Sequence, residues 1–237
     1  MQINNKMNDA VIEFIKASFK TELDNENINR LIDAYVKEYA SFVVEEDKIE
    51  ACLLYDEDSY RIALLVGDNK EAIFTLFDAI KEEAKKKNIA KLSANVTDNQ
   101  KAYFEEYGFI EGEKREDIPF VSMDYLLQND VLGKSVTVIV DHPYGSFHPH
   151  RADVQYPINY GYILEDASID SDMQNAYIYG IEEPLEEFSG VVVAIIYHLD
   201  DYQSRWVVAS PLEKVTKDDI IQSVGFEEQH YDILIVM

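Results

Sequence analysis

The string YPINYGYI at residues 156–163 is the most distinctive in the chain, and the second half of the sequence is organised around it. The residues on either side form further short runs rich in β-branched and aromatic side chains, namely VTVIVDHP, AYIYGIEE, VVVAIIYHL and RWVVAS. Gly, Pro, Asp and Ser separate these runs, as is typical of short strands joined by turns. This density of strands predicts a small, strongly bent sheet or barrel. A late helix is predicted at 216–224, with Thr216 as its N-cap.

The first half of the chain has a different pattern, in which helical and strand periodicities alternate. The predicted elements are, in order, helices over 8–38, a hairpin over 42–55, a strand at 59–66, a helix from Asn69 to Lys87, a strand at 91–96, a short helix from Asn99 to Tyr107 and two further strands. The polar segment QNDVLGK at 128–134 is the predicted boundary. We therefore expect two domains, at 1–130 and 134–237.

The composition is strongly acidic, with 46 Asp and Glu against 21 Lys and Arg and a formal net charge of −25. Such a field repels phosphate backbones and attracts cations, so we expect no nucleic-acid partner. No run approaches the roughly 18 to 20 apolar residues of a membrane span, and the first residues lack a secretory pattern, so no membrane partner is expected. Cys52 is the single cysteine, which excludes disulfides within the chain and favours a cytoplasmic location.

Histidine is confined to the second half of the chain, at positions 142, 148, 150, 198 and 230. Three of these five side chains fall within nine residues of one another. Imidazole is the side chain best suited to proton transfer or metal ligation near neutral pH. The second half is therefore the predicted location of any chemistry.

The order of elements in the first half resembles the GNAT acetyltransferase fold, most clearly over AIKEEAKKKNIAKLSANVTDNQKAYFEEYGFIEGEKRE at 79–116. That family binds the pyrophosphate of CoA with a basic, Gly-rich loop at a helix N-terminus, where backbone N–H groups face the phosphates. The matching segment here is LLVGDNKEAIF, in which Gly67 stands alone, Lys70 is the only cation, and Asp68 and Glu71 are acidic. Gly67 and Lys70 are the cofactor-binding candidates. Acetyl-CoA is not the expected cofactor.

The second half resembles soluble inorganic pyrophosphatases, in which a segment similar to YPINYGYI recurs. Four further strings match that family in order, and together they cover nearly all of residues 136–211: VIVDHPYGS, IDSDMQNAYIYG, FSGVVVAIIYHLDD and RWVVASP. The resemblance implies a small β-barrel that binds Mg²⁺ and a phosphate-containing small molecule.

The resemblance also implies a metal site built from aspartates. Mg²⁺ held by carboxylates would screen the charges of pyrophosphate and activate a bound water. Asp170 and Asp172 match the first two acids of the family's metal motif, and Asp200 or Asp201 matches a later one. The third acid of that motif is replaced by Asn175, a weaker neutral ligand. Alternatively, Asp170 and Asp172 are turn residues of a polar loop.

Tyrosines and cations would hold the phosphate oxygens of the substrate. Arg205 occupies the position of a family lysine, and Tyr156 and Tyr160 match the family's phosphate-side tyrosines. From the residues themselves we add His148 and Arg151 as phosphate contacts. Alternatively, the tyrosines pack the barrel with their hydroxyls at its edge. The catalytic candidates are then Asp170, Asp172 and Arg205.

These patterns predict an α+β protein, with a GNAT-like mixed α/β domain followed by a small pyrophosphatase-like β-barrel domain. The main functional hypothesis is Mg²⁺-dependent hydrolysis of inorganic pyrophosphate or a related phosphoanhydride by the C-terminal domain, in a chain that forms homo-oligomers. Two alternatives stay open. The chain is a non-catalytic protein that binds a ligand or partner through two degenerate enzyme domains, or it is an N-acetyltransferase with an altered CoA site.

Overall fold

The computed structural model describes residues 1–19, 25–112, 120–149, 151–163, 173–201 and 203–237. The chain divides into two compact units, Met1–Leu126 (unit 1) and Leu127–Met237 (unit 2). Among the described residues, no helix is both long and apolar enough to cross a membrane.

Unit 1 is a mixed α/β layer structure. Its elements are β1 (Gln2–Asn4), α1 (Asp9–Ser18), α2 (Asn25–Glu38), β2 (Ala40–Glu45), β3 (Ile49–Tyr55), β4 (Arg61–Gly67), α3 (Lys70–Lys86), β5 (Lys91–Val96), α4 (Asp98–Tyr107), β6 (Ile110–Glu111) and β7 (Val121–Leu126). The described strands form a seven-stranded sheet in the order β1-β2-β3-β4-β5-β7-β6. Of these pairings only β4–β5 is parallel.

Helix α3 forms where the sequence predicts it, because its N-cap, its apolar face and its basic last turn are all encoded by neighbouring residues. The Asn69 side chain caps its N-terminus, and Lys85 and Lys86 lie in its last turn, where cations favour the helix dipole. One face of the helix is buried, with the ring of Phe77 against the rings of Phe104 and Phe109. The aromatic residues of the predicted GNAT-like segment therefore form core.

The parallel pair β4–β5 separates soon after it begins. The two strands pair only at Arg61 with Ser93 and at Ile62 with Ala94. Beyond these positions β4 continues to pair with β3 on its other side, as far as Gly67 opposite Ala51. The second half of β4 therefore has one backbone edge that no described strand covers.

Unit 2 is built from short strands and one helix. Its elements are β8 (Ser135–His142), β9 (Phe147–His148), β10 (Arg151–Gln155), β11 (Asn159–Ile163), β12 (Gln174–Ile178), β13 (Glu187–His198), β14 (Ser204–Ala209), α5 (Lys217–Glu228) and β15 (Ile233–Val236). The sheet order is β14-β12-β11-β8-β13-β15, and β14 also pairs with β13. That extra pairing closes a ring of five described strands into a small barrel.

The long strand β13 makes this closure, since its first part pairs with β8 and its second part with β14. Its register shifts between Val192 and Ala194, and such bulges bend a strand. The predicted small, bent barrel is therefore present in unit 2. The string YPINYGYI contributes only its second part to a strand, because β11 begins at Asn159.

Helix α5 begins with a capping box, in which the Thr216 hydroxyl and the Asp219 carboxylate each bond the other's backbone N–H. Its buried residues are Ile220, Val224 and Glu228, spaced four apart along one face. The first two pack into the core of unit 2. The third is a carboxylate at an apolar position, and its partners define a candidate site.

Candidate functional sites

A cavity of about 630 Å³ lies in unit 1 beside the uncovered edge of β4. That volume is within the range of small-molecule sites. The walls come from α2, the β3–β4 turn, β4, the end of β5 and α4, and are mostly apolar or aromatic: Phe19, Leu31, Ile32, Tyr35, Tyr39, Ile62, Ala63, Leu64, Leu65, Val96, Phe104 and Phe120. The cavity is therefore suited to a ligand with an apolar body.

Three polar side chains of the lining are placed to orient such a ligand. The Asp56 carboxylate accepts hydrogen bonds from the backbone N–H and the hydroxyl of Ser59, at 2.8 and 2.7 Å. These bonds hold the pKa of Asp56 below its ordinary value, so the group is a carboxylate at neutral pH. Arg61 brings a guanidinium to the same wall. Gln100 donates from Nε2 to the backbone carbonyl of Leu65, at 2.9 Å.

Gly67 and Lys70, the predicted cofactor-binding residues, have contacts within the protein that account for them. Gly67 has φ of +140°, and a Cβ there would lie 2.8 Å from the Cβ of Ala51. Glycine is therefore required for close packing against β3. Lys70 donates from Nζ to Glu106 at 2.7 Å, and this bond raises the pKa of Lys70. Their role in binding a cofactor stays a prediction.

A group of polar side chains in unit 2, which we call the Glu228 cluster, consists of the buried Glu228, His198, Arg205 and Tyr177, with Asp201 at its partly exposed edge. The Oε2 atom of Glu228 bonds to His198 Nε2 at 2.9 Å, and its Oε1 atom accepts from the Tyr177 hydroxyl at 2.6 Å. Arg205 Nη1 lies 3.3 Å from the same Oε1 atom. His198 is fully buried, with Asp201 Oδ2 3.1 Å from Nδ1. Each ring nitrogen of His198 thus faces a carboxylate.

The partners of His198 in the Glu228 cluster, which also include Arg205 Nη1 close to Nε2, shift its pKa. Burial lowers the pKa of His198, but the hydrogen bonds to Asp201 and Glu228 outweigh burial, and the net pKa is raised. Burial likewise raises the pKa of Glu228, whereas His198 and Arg205 lower it by more. The cluster is therefore a connected polar network, in which the buried ion pair of Glu228 and Arg205 is also bonded to His198 and Tyr177.

Next to this cluster lies a column of near-parallel rings, which we call the ring face, formed by His142, His148, Tyr156 and Tyr160. The ring centroids of His142 and Tyr156 are 4.7 Å apart, and those of His148 and Tyr156 are 5.8 Å apart. Arg205 donates from Nε to the Tyr160 hydroxyl at 3.4 Å, which joins the column to the Glu228 cluster. Burial raises the pKa of Tyr156 to about 12, so its hydroxyl stays protonated.

The structure brings several of the predicted substrate-binding residues together. Tyr156, Tyr160 and His148 lie in the ring face, and Arg205 contacts it from the buried side. The guanidinium of Arg151 is paired with Glu227. Arg205 is itself paired with Glu228, and its role in binding phosphate stays a prediction.

Of the four predicted metal ligands, the structure describes only Asp200 and Asp201. Asp170 and Asp172 lie outside the described residues. Asp201 is engaged with His198 and accepts from the backbone N–H of Gln203 at 2.7 Å. His198, Asp200 and Asp201 offer ligand atoms within 4.8 Å of one another. Both ring nitrogens of His198 already have partners, Asp201 at Nδ1 and Glu228 at Nε2, and this pairing competes with a metal for the group.

Sequence reasoning missed Glu228 and the role of His198. A signal for Glu228 was available, because Ile220, Val224 and Glu228 follow one another at helical spacing. A carboxylate on an apolar stripe is expected to have a buried partner. Nothing local indicates that this partner is His198, thirty residues earlier in the chain.

The comparisons with known proteins give structural neighbours for the first half of the chain. Aminoglycoside 6′-acetyltransferase type Ii is 11% identical over 54% of this chain and 97% of its own, with a TM-score of 0.45. A GNAT-family acetyltransferase from Staphylococcus aureus Mu50 is 17% identical over 54% and 99%, with a TM-score of 0.43. Tetrahymena GCN5 is 16% identical over 54% and 97%, also with a TM-score of 0.43.

These neighbours are acetyltransferases, and the chain is similar to them over its first half with TM-scores below 0.5. Identities this low concern the fold alone. No protein-family model and no curated protein matches the chain. The comparisons do not identify the barrel of unit 2 as that of a pyrophosphatase, and they give no support for pyrophosphate hydrolysis or Mg²⁺ binding.

The Glu228 cluster predicts an unusual pH dependence for the stability of unit 2. The pKa of His198 in the folded state lies above its ordinary value of 6.5, so its contribution is complete below pH 6.5 and is lost as the pH rises through the folded value. The lowered pKa of Glu228 acts in the opposite direction, and its contribution is lost only in acid. We therefore expect the urea midpoint of unit 2 to fall as the pH is raised above 6.5.

Trp206 is the single tryptophan of the chain and is buried in unit 2, so its fluorescence follows this transition. The control is His198→Gln, which lacks the titrating group and should show a flatter profile between pH 6 and 9. A wild-type midpoint that rises over the same range would contradict the raised pKa of His198.

Proposed function

We propose that unit 1 is an N-acyltransferase domain that binds the arm of an acyl thioester, together with an amine, in the cavity beside β4. The observation that carries this proposal is the early separation of β4 from β5. It places an open strand edge and an apolar chamber side by side. An extended ligand with amide groups can pair with such an edge as an added strand would.

The contact made by Gln100 supports this role for the β4 edge. Its side-chain amide donates to the carbonyl of Leu65, on the second half of β4, where β5 does not pair. An amide N–H is therefore accommodated at this edge in the free protein. The amide of a ligand arm would form the same bond once the Gln100 side chain had moved aside.

The lining also suits an amine as acyl acceptor. The carboxylate of Asp56 is held ionised by its hydrogen bonds to Ser59 and lines the cavity. A carboxylate in a mostly apolar wall attracts an ammonium group more strongly than the same carboxylate in water would. The apolar and aromatic walls would pack against the body of that amine.

Filling the cavity is expected to abolish most of this activity. We expect Ala63→Phe to lower kcat/KM for acetyl transfer from acetyl thioesters to primary amines by about tenfold or more, the equivalent of about 1.4 kcal/mol. The reason is that Ala63 lines the cavity, where the added ring takes up ligand volume. The rate of acetyl transfer is measured from the release of thiol, and binding is measured from the change in the Tm of the protein when the ligand is added.

The matched control is Ala102→Phe, on the exposed surface of α4 and outside the cavity lining. This variant should retain both transfer and binding. If neither thioesters nor amines shift the Tm of the wild-type chain, and no thiol is released, the proposal for unit 1 is wrong.

A second candidate function is the binding of a phosphate-containing small molecule by unit 2. The observation that favours it is the meeting of Tyr156, Tyr160 and His148 in the ring face, with Arg205 beside them. Hydroxyl, imidazole and guanidinium groups are donors that bind phosphate oxygens. Hydrolysis of pyrophosphate would add a bound Mg²⁺ and an activated water to this arrangement.

Titration calorimetry with pyrophosphate, with and without Mg²⁺, tests this second candidate. We expect Tyr160→Phe to weaken binding about tenfold, since a hydrogen bond to a charged group contributes about 1.5–3 kcal/mol. Tyr179→Phe is the control, because Tyr179 packs against the unit 2 core and is not part of the ring face. Absence of binding and of phosphate release at high protein concentration would reject a phosphate ligand.

A further inference from the structure

The N-terminus of helix α3 follows directly after the β4 residues that line the cavity, and its backbone donors are already in use. The side-chain oxygen of Asn69 accepts from the N–H groups of Glu71 and Ala72, at 3.0 and 3.3 Å. The carbonyl of Asn69 accepts from the N–H of Ile73 at 3.0 Å. Three of the amides that this helix N-terminus would offer to a phosphate, those of residues 71–73, are thus satisfied by the protein.

The charges around this helix start also oppose a phosphate. Asp68 and Glu71 flank the cap in sequence, and Glu50 Oε2 accepts from the side-chain amide of Asn69 at 3.4 Å. Lys70 is the one cation of this segment, and its Nζ is bonded to Glu106. A diphosphate here would meet several carboxylates and no unpaired cation of the 66–71 segment, which is an unfavourable interaction.

The packing of the loop that precedes α3 also opposes the binding of a diphosphate there. A Cβ on Gly67 would lie 2.8 Å from both the Ala51 Cβ and the Glu50 carbonyl oxygen, so the loop backbone is in close contact with β3. Glycine at position 67 therefore allows this close contact with β3. Along β4, the described lining of the cavity ends at Leu65, before this loop begins.

From these contacts we infer that the acyl donor of unit 1 is a thioester of a short, amide-containing thiol of the pantetheine class, without a diphosphate. This inference rests on the proposed acyl transfer. The amide-containing arm pairs with the open edge of β4, and the acyl group lies in the apolar chamber. The amine nitrogen bonds to the acyl carbon, the carbon–sulfur bond breaks, and the thiol leaves with the proton that the amine gives up.

A comparison of S-acetyl-pantetheine with acetyl-CoA tests this inference. The two compounds share the thioester and the amide-containing arm, and only acetyl-CoA carries the phosphorylated nucleotide. With the full chain, we expect S-acetyl-pantetheine to bind at least as tightly as acetyl-CoA, and to give an equal or higher kcat/KM. Lowering the salt concentration should weaken acetyl-CoA binding selectively, because repulsion between charges is less screened at low ionic strength.

A pair of charge variants sharpens the comparison. Glu71→Gln removes one carboxylate at the start of α3 and should improve acetyl-CoA binding about threefold at low salt while leaving S-acetyl-pantetheine unchanged. Glu82→Gln removes an exposed carboxylate of the same helix, remote from its start, and should change neither ligand.

Binding of acetyl-CoA about tenfold tighter than S-acetyl-pantetheine would overturn the inference while leaving the acyltransferase proposal in place. Equal effects of Glu71→Gln on the two thioesters would overturn it as well. Failure of both thioesters to bind would overturn the inference and the proposed acyl transfer together.

Discussion

Glu228→Ala is expected to lower the free energy of unfolding of unit 2 by about 3–5 kcal/mol, the usual cost of removing one partner from a buried ion pair. Glu228 is 2% exposed and bonds to His198 and Tyr177, with Arg205 as its ion-pair partner. Without this carboxylate, the Arg205 guanidinium stays buried without its ion-pair partner, and His198 and Tyr177 each lose a hydrogen bond. The unpaired buried charge and the lost bonds are the source of the effect.

Urea unfolding followed by the fluorescence of Trp206 measures this change in unit 2. The control is the neighbouring variant Glu227→Ala, because Glu227 is partly exposed and pairs with Arg151 near the surface. Its loss should cost less than about 1 kcal/mol. Equal destabilisation by the two variants would show that the Glu228 cluster contributes no more than a surface pair.

Gly161→Ala is the second substitution with a large expected effect, about 3 kcal/mol or more, because it forces a side chain into a filled space. A Cβ at Gly161 would lie 1.9 Å from the carbonyl oxygen of Ile139 on β8. That neighbour is backbone, so it cannot rotate away. The β11–β8 register also shifts between Tyr160 and Gly161.

Gly225→Ala is the matched control for this substitution. Gly225 lies inside α5, and nothing stands within 4 Å of where its Cβ would be. Alanine is favoured over glycine in a helix interior, so this variant should be stabilised by about 0.5–1 kcal/mol. If Gly161→Ala has the same urea midpoint as the wild type, then β11 does not approach β8 as closely at this position as the structure shows.

Elements with strong local signals were predicted well from the sequence. Helix α3 was expected from Asn69 to Lys87 and runs from Lys70 to Lys86, with those two residues as its caps. The hairpin around residues 46–48 and the helix capped by Thr216 are also present. In each case the cap, the turn and the apolar spacing are properties of neighbouring residues.

The candidate sites were predicted less well, since they depend on residues far apart in the chain. Tyr156, Tyr160 and Arg205 were named from the sequence, but their shared surface arises from the pairing of β11, β12 and β14. The cavity of unit 1 was not foreseen at all, because strand separation leaves no mark in the composition of β4. Glu228 was overlooked for the same reason, as its partners lie on other elements.

The sequence by itself determined the acidic composition of this protein and most of its helices and strands, and its order of elements predicted a GNAT-like first half and a second half rich in strands. These features follow from composition and from spacing between near neighbours. Only the tertiary structure decided which charges are buried together, which strand edge stays open, and that the start of α3 is closed by its own cap. Those outcomes depend on distances between residues that are remote in the chain, and hydrophobic periodicity carries no information about such distances.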